Sequence, residues 1–160
     1  MKKNTKGFSL IELLIVVAII LIIAAIAVPN LLRSRIAANQ ASAVQSLRTI
    51  NTSEVAYAST YTQNYSDTLL ELGPPSSGNA TSAAAGLIDS VLAAGTKSGY
   101  TVTYTVGSSD GNGHYNTYTM TAAPVTVGTT GTNYYFTDQT MVIRVNANAA
   151  ATAASSPIGG

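Results

Sequence analysis

Apolar side chains fill the chain from Leu13 to Val28 without a polar interruption, and counted from Phe8 the stretch is 21 residues long. As an α-helix rising ~1.5 Å per residue it spans ~31 Å, the depth of a bilayer's hydrocarbon core. Pro29 ends the run. It lacks a backbone donor and disfavours helix at Val28, yet the pattern beyond it is helical again. Ile36, Ala43, Leu47, Ile50, Tyr57 and Tyr61 recur three, four or seven residues apart, along one face, with Arg33, Arg35 and Arg48 largely off it. The pattern predicts one helix from about Phe8 to about Thr60, bent near Pro29. Its first half is apolar all round, and its amphipathic second half packs on a small domain. Two helices with a true break at Pro29 are the alternative.

The period changes further on. Residues 62–99 read as a long connection. Within it Asp67–Leu72 forms a short helical turn, Gly73–Gly78 is loop, and Ala83–Ala94 is a short helix stopped by Gly95. Tyr100–Val106 alternates strictly, as a strand with one buried face does. Gly107–Gly113 is a turn-rich loop, and His114–Ala122 is the hairpin partner. Pro124–Gly131 is loop. Asn133–Thr137 and Met141–Val145 form a second hairpin around Asp138 and Gln139. The expected fold class is α+β, with the upper half of a long N-terminal helix packed on an antiparallel sheet of about four strands. The tail from Asn146 is rich in Ala and Ser and is expected to be flexible.

Composition narrows the function. Only 9% of residues are charged, against a usual ~25%. The formal net charge is +1, so no basic patch marks a nucleic-acid partner. There is no cysteine, which removes disulfides, thiol chemistry and cysteine-based zinc sites. His114 is the one histidine, so neither a hydrolytic triad nor a histidine-based metal centre has support. Asp110-Gly111-Asn112-Gly113 starts like an EF-hand loop. His114, Tyr115 and Thr121 then stand where its later ligands and glycine belong, so a hairpin turn is the better reading. Asn51, Asn64 and Asn79 begin N-x-Ser/Thr triplets, which are frequent by chance in a chain this rich in hydroxyls. The nine tyrosines are explained by head packing and strand preference. No catalytic residue, metal site or cofactor is expected, and the chain is not read as an enzyme.

One residue fits neither a plain membrane anchor nor a plain signal peptide. Glu12 sits inside otherwise apolar GFSLIELL, where a charge at mid-membrane costs ~2.5–3.5 kcal/mol, and less near an end. No Lys, Arg or His lies between Gly7 and Arg33 to pair with it. Lys2, Lys3 and Lys6 precede it with no acid among them, and by the positive-inside bias they hold that end in the cytoplasm. A cut after Gly7 would create a free α-amine on Phe8, one helical turn from Glu12, able to pair with its own carboxylate or with that of a neighbouring helix. Ala25-Ile26-Ala27 is the competing, conventional cleavage site.

Gly7-Phe8-Ser9-Leu10-Ile11-Glu12-Leu13-Leu14 after a short basic leader resembles the class III signal of type IV pilins and pseudopilins, over about Lys2–Asn30. The resemblance implies cleavage after Gly7 by a prepilin peptidase, N-methylation of Phe8, and use of Glu12 in assembly against the N-terminus of an adjacent subunit. It also implies that Pro29 marks a helix bend. The implied organisation is a leader at 1–7, a membrane and filament-core helix at 8–30 and an amphipathic helix at 31–61. The connection at 62–99, the sheet at 100–145 and the flexible tail at 146–160 follow. The implied partners are further copies in a helical filament, the peptidase and N-methyltransferase, an inner-membrane assembly platform, and the bilayer before assembly. The precursor belongs in the inner membrane and the filament at the cell surface. The chain departs from the pattern in lacking the disulfide that closes the C-terminal loop of many type IV pilins. It also lacks the Pro/Tyr/Gly-rich stretch and calcium loop usual in major pseudopilins of type II secretion, which favours a major pilin. A pseudopilin, or a membrane-anchored or secreted monomeric β-rich binding protein, is the alternative.

Overall fold

A single helix, α1 (Leu10–Tyr57), dominates the first third of the chain. The computed structural model describes residues 7–62, 64–111 and 115–159. They fall into two units, one ending at Arg35 and one beginning at Ile36, and α1 contributes to both.

In the first unit every side chain of α1 but one is exposed. The helix is long and apolar enough to cross a membrane. It runs through Pro29 without a break. The proline cannot donate to the carbonyl four residues back. Close by, Asn30 Nδ2 donates to the Ile26 carbonyl at 3.0 Å, and Ser34 Oγ donates to the Asn30 carbonyl at 3.0 Å. These bonds go to carbonyls other than that of Ala25, the one the proline leaves without its usual donor, and back-bonding of this kind favours a bend rather than reinforcing the helix.

In the second unit α1 becomes amphipathic. Ala43, Leu47, Ile50 and Tyr57 are buried, while Arg48 stays exposed. Helix α1 ends in a π-helical turn, Ala58–Thr62. The sheet follows as β1 (Thr96–Lys97), β2 (Tyr100–Val106), β3 (Tyr118–Pro124), β4 (Tyr134–Asp138), β5 (Arg144–Asn146) and β6 (Ser156–Pro157). Every pairing is antiparallel, and the spatial order is the chain order. On β3 the alternation is complete: Tyr118, Met120, Ala122 and Pro124 are buried and the residues between them less so. Tyr118, Met120 and Ala122 join Leu47, Ile50, Leu72, Leu92 and Tyr100 in one core.

The class expected from sequence holds, and its details shift. The sheet has six strands rather than about four. β1 was missed. It is two residues long and turns into β2 through Ser98 and Gly99, both at positive φ (49° and 73°), the combination a tight hairpin needs. The partner of β2 starts at Tyr118 rather than His114 and includes Pro124 at its end; His114 lies outside the described residues. The expected helix over Ala83–Ala94 shrinks to α2 (Ser90–Ala93). Gly86 sits at φ +67°, which no helix accepts, and the amides of Ala85, Gly86, Leu87 and Ile88 donate to carbonyls of residues 71–73. Asp89 then caps α2 through Leu92 N. Asp67–Leu72 is turn rather than helix. The tail expected to be flexible returns instead to the sheet. β6 pairs with β5, Ala151 is buried, and Arg144 Nη1 donates to the Ser155 carbonyl at 3.0 Å.

Candidate functional site

The start of α1 is built as a cap. Ser9 precedes the first helical residue, and Glu12 is the third residue inside. The amide of Ser9 donates to Glu12 Oε2 at 2.8 Å. The amide of Leu13 donates to the Ser9 carbonyl at 3.3 Å and closes the first turn. The first amides of a helix have no partner within it, and a glutamate at this position reaches back to satisfy one, as in a capping box. Its charge also suits the positive end of the helix dipole. Ser-x-x-Glu ahead of an apolar run was the signal for this contact, and reading Glu12 only as a misplaced charge overlooked it.

Gly7 and Phe8 lie outside the helix and are exposed. A Cβ added at Gly7 would meet nothing within 4 Å, so the folded chain gives no steric reason for glycine there. Phe8 is 82% exposed. Gly7, Phe8 and Glu12 therefore cluster within two turns of chain, while Pro29 lies further along the same helix. Lys2, Lys3 and Lys6 lie outside the described residues.

A second carboxylate is buried in the head. Glu54 is fully buried, taking Ser66 N at 3.0 Å on one oxygen and Ser66 Oγ at 2.6 Å on the other. Burial pushes its pKa up against the hydrogen bonds from Ser66 and Tyr104, and the nearby Glu71 pushes the same way. Beside it the buried Asn51 donates to Thr137 Oγ1 at 3.0 Å and accepts from the Tyr118 hydroxyl at 2.9 Å. Two polar residues of α1 thus tie the helix to a loop and to the sheet.

Other candidates dissolve. Asn51 is buried and bonded, and Ser66 of the Asn64 triplet is buried, which leaves Asn79 as the exposed triplet. Asp110 and Gly111 belong to the β2–β3 turn, with Gly111 N bonded to Ser109 Oγ; Asn112 and Gly113 lie outside the described residues. No group of three metal-ligating side chains occurs among the described residues. Tyr65 and Tyr118 meet edge to face at 4.7 Å, and Tyr104 stacks on Tyr118 at 5.6 Å, as packed aromatics do.

The family model that matches is the prokaryotic N-terminal methylation motif, over residues 2–28. The type IV major pilin protein PilA of Myxococcus xanthus is 43% identical over 77 residues, 48% of this chain and 34% of that protein. The type IV wide pilus major component PilA4 of Thermus thermophilus is 65% identical over 37 residues, 23% of this chain and 28% of that protein. The chain thus spans about a third of the length of the curated relatives it matches. Both are named as components of pili rather than as enzymes. No solved structure matches the chain.

Proposed function

We propose that this chain is the structural subunit of a type IV pilus-like surface filament. It is made as an inner-membrane prepilin with Lys2, Lys3 and Lys6 in the cytoplasm, cut after Gly7 by a prepilin peptidase and N-methylated at Phe8. An inner-membrane platform then feeds it from the bilayer into a filament of identical copies. The apolar helices bundle in the filament core, Pro29 is where the helix bends, and the units from Ile36 onward form the outer surface. The supporting observation is the grip of Glu12 Oε2 on Ser9 N at 2.8 Å. It holds the carboxylate one residue from the amine that cleavage after Gly7 would expose.

The chemistry follows from that position. In the monomer the Glu12 carboxylate accepts the Ser9 amide but keeps its charge, and after cleavage its own Phe8 amine lies one turn away. In a filament the amine of a neighbouring Phe8 competes for the same oxygens. Apolar contact alone gives little drive between helices in lipid. A carboxylate left unpaired in an apolar bundle is costly, so the register that supplies the amine is favoured. The open space at Gly7 supports the same reading, since a glycine the fold does not need is explained by a peptidase that does.

Intact mass and N-terminal sequence of sheared surface fibres test the proposal. The expected result is a chain starting at methylated Phe8. A chain starting at Met1, or after Ala27, overturns it. Glu12→Ala should leave cleavage intact and cut filament yield at least about tenfold; normal filaments from that variant would remove the pairing mechanism.

A further inference from the structure

Two open clefts in the unit beginning at Ile36 share Arg48 and Ile158 as walls. The larger, about 460 Å³, lies among Val44 of α1, Tyr135 of β4 and Val145 of β5. The smaller, about 230 Å³, reaches Met141 and Val142. Together they make a mixed groove, apolar along Val44, Val145 and Ile158 and polar elsewhere, with the Arg48 cation shared between the two clefts. Arg48 is exposed and meets no carboxylate, for the one ion pair among the described residues joins Lys97 to Asp89. Met141 (45% exposed) and Ile158 (38%) leave its apolar part uncovered.

The same unit carries a matching projection. Leu70 is 67% exposed, more than any other large apolar side chain beyond Arg35. Its turn is held firm by Gly73 N on the Leu70 carbonyl at 2.9 Å and by Asp67 N on Glu71 Oε2 at 2.9 Å. Asp67 is exposed beside it and has no cationic partner among the described residues. The other apolar projections lack this pairing of grease with free negative charge. Val91 stands near Asp89, which Lys97 already neutralises. Val125 and Val127 have no acid adjacent, and the acid beside Val55 is the buried Glu54.

We propose that the groove receives the Asp67–Leu72 turn of a second copy of this chain, with Leu70 entering beside Ile158 and the Asp67 carboxylate pairing with Arg48. Groove and projection are different patches of one subunit, so the contact is head-to-tail. Such a contact leaves a free groove and a free projection at the two ends of any open string of copies, and it extends as a helix when the rotation between copies does not close a ring. The proposal rests on the filament reading and adds to it a docking surface outside the helical core.

Because the chain has no cysteine, Leu70→Cys together with Ile158→Cys places two unique thiols. Oxidised filaments of the double variant should give a ladder of dimers, trimers and longer covalent oligomers on denaturing gels. Each single variant should give none. Filaments of the double variant that yield no ladder overturn the proposal. If the thiols block assembly, charge exchange decides: Arg48→Glu should lower filament yield about tenfold, and adding Asp67→Arg should restore it. A double exchange no better than the single one overturns the proposal. Wild-type chain that forms no filaments at all would instead defeat the filament reading, which separates the two failures.

Discussion

Two glutamates on one helix meet opposite surroundings. Glu12 is exposed at the helix start and is used to satisfy an amide. Glu54 is sealed in the head, its oxygens held by the amide and hydroxyl of Ser66 and by the Tyr104 hydroxyl. The pKa of Glu54 is raised in the folded state above its ordinary value of 4.5. A folded state that holds the proton more tightly is most favoured while the proton is on. This contribution is fully present below pH 4.5 and is lost as pH rises through the folded value. Thermal unfolding followed from pH 4 to pH 8 should therefore show a decline that Glu54→Gln removes; an unchanged slope in that variant would assign the decline elsewhere. Glu54→Ala strands the buried Ser66 donors and should cost about 1–3 kcal/mol of stability by denaturant unfolding. Neither role was apparent from hydropathy. Glu54 lies between Ile50 and Tyr57 at the spacing of the buried stripe, and a charged residue at a core position is passed over when only apolar positions are counted. Glu12 was conspicuous as a charge, but its contact was written in the Ser9 spacing.

At the scale of elements, legibility followed length and repetition. β2 matches its alternating stretch residue for residue, because seven residues of strict period two leave little ambiguity. β1 and β6 are two residues each, too short for any period to show. The run Ala83–Ala94 had helical spacing but lost its first half to backbone bonds with residues 71–73, a tertiary preference no local pattern carries. The absence of cysteine left open what holds the C-terminal edge. β5–β6 pairing, the Arg144–Ser155 bond and Ile158 N on the Ile143 carbonyl at 2.9 Å answer it. Removing residues 152–160 deletes these contacts and should cost about 2–3 kcal/mol at roughly 1 kcal/mol per bond, measured by urea unfolding. Gly131 gives a sharper test of packing. A Cβ there would lie 2.1 Å from the Tyr100 hydroxyl and 2.5 Å from its ring. Tyr100 is buried and bonded to the Asn133 carbonyl at 2.9 Å, so it cannot swing away. Gly131→Ala should lower stability by about 1–3 kcal/mol, and an unchanged melting temperature would show that the ring gives way.

For the whole molecule, the proposed cleavage after Gly7 would change charge as well as length. Removing seven residues takes three lysines, so 5 basic residues face 7 acidic ones and the side-chain charge moves from +1 to −2. Isoelectric focusing should find the full-length chain near 7.9 and the fibre subunit on the acid side of neutrality. The order β1 to β6 carries a consequence for how the head comes into being. Each strand pairs with the one made just before it, so each new pairing closes only a short loop, and short closures are the entropically cheap and kinetically quick ones. The sheet can grow in the order of synthesis, one strand at a time, with no cross-link to await. Until Ser156 and Pro157 emerge, β5 is an open edge that any passing strand could occupy. Once paired, Ser156 and Pro157 cover that edge with a two-residue strand, and the proline has no amide to offer a further strand.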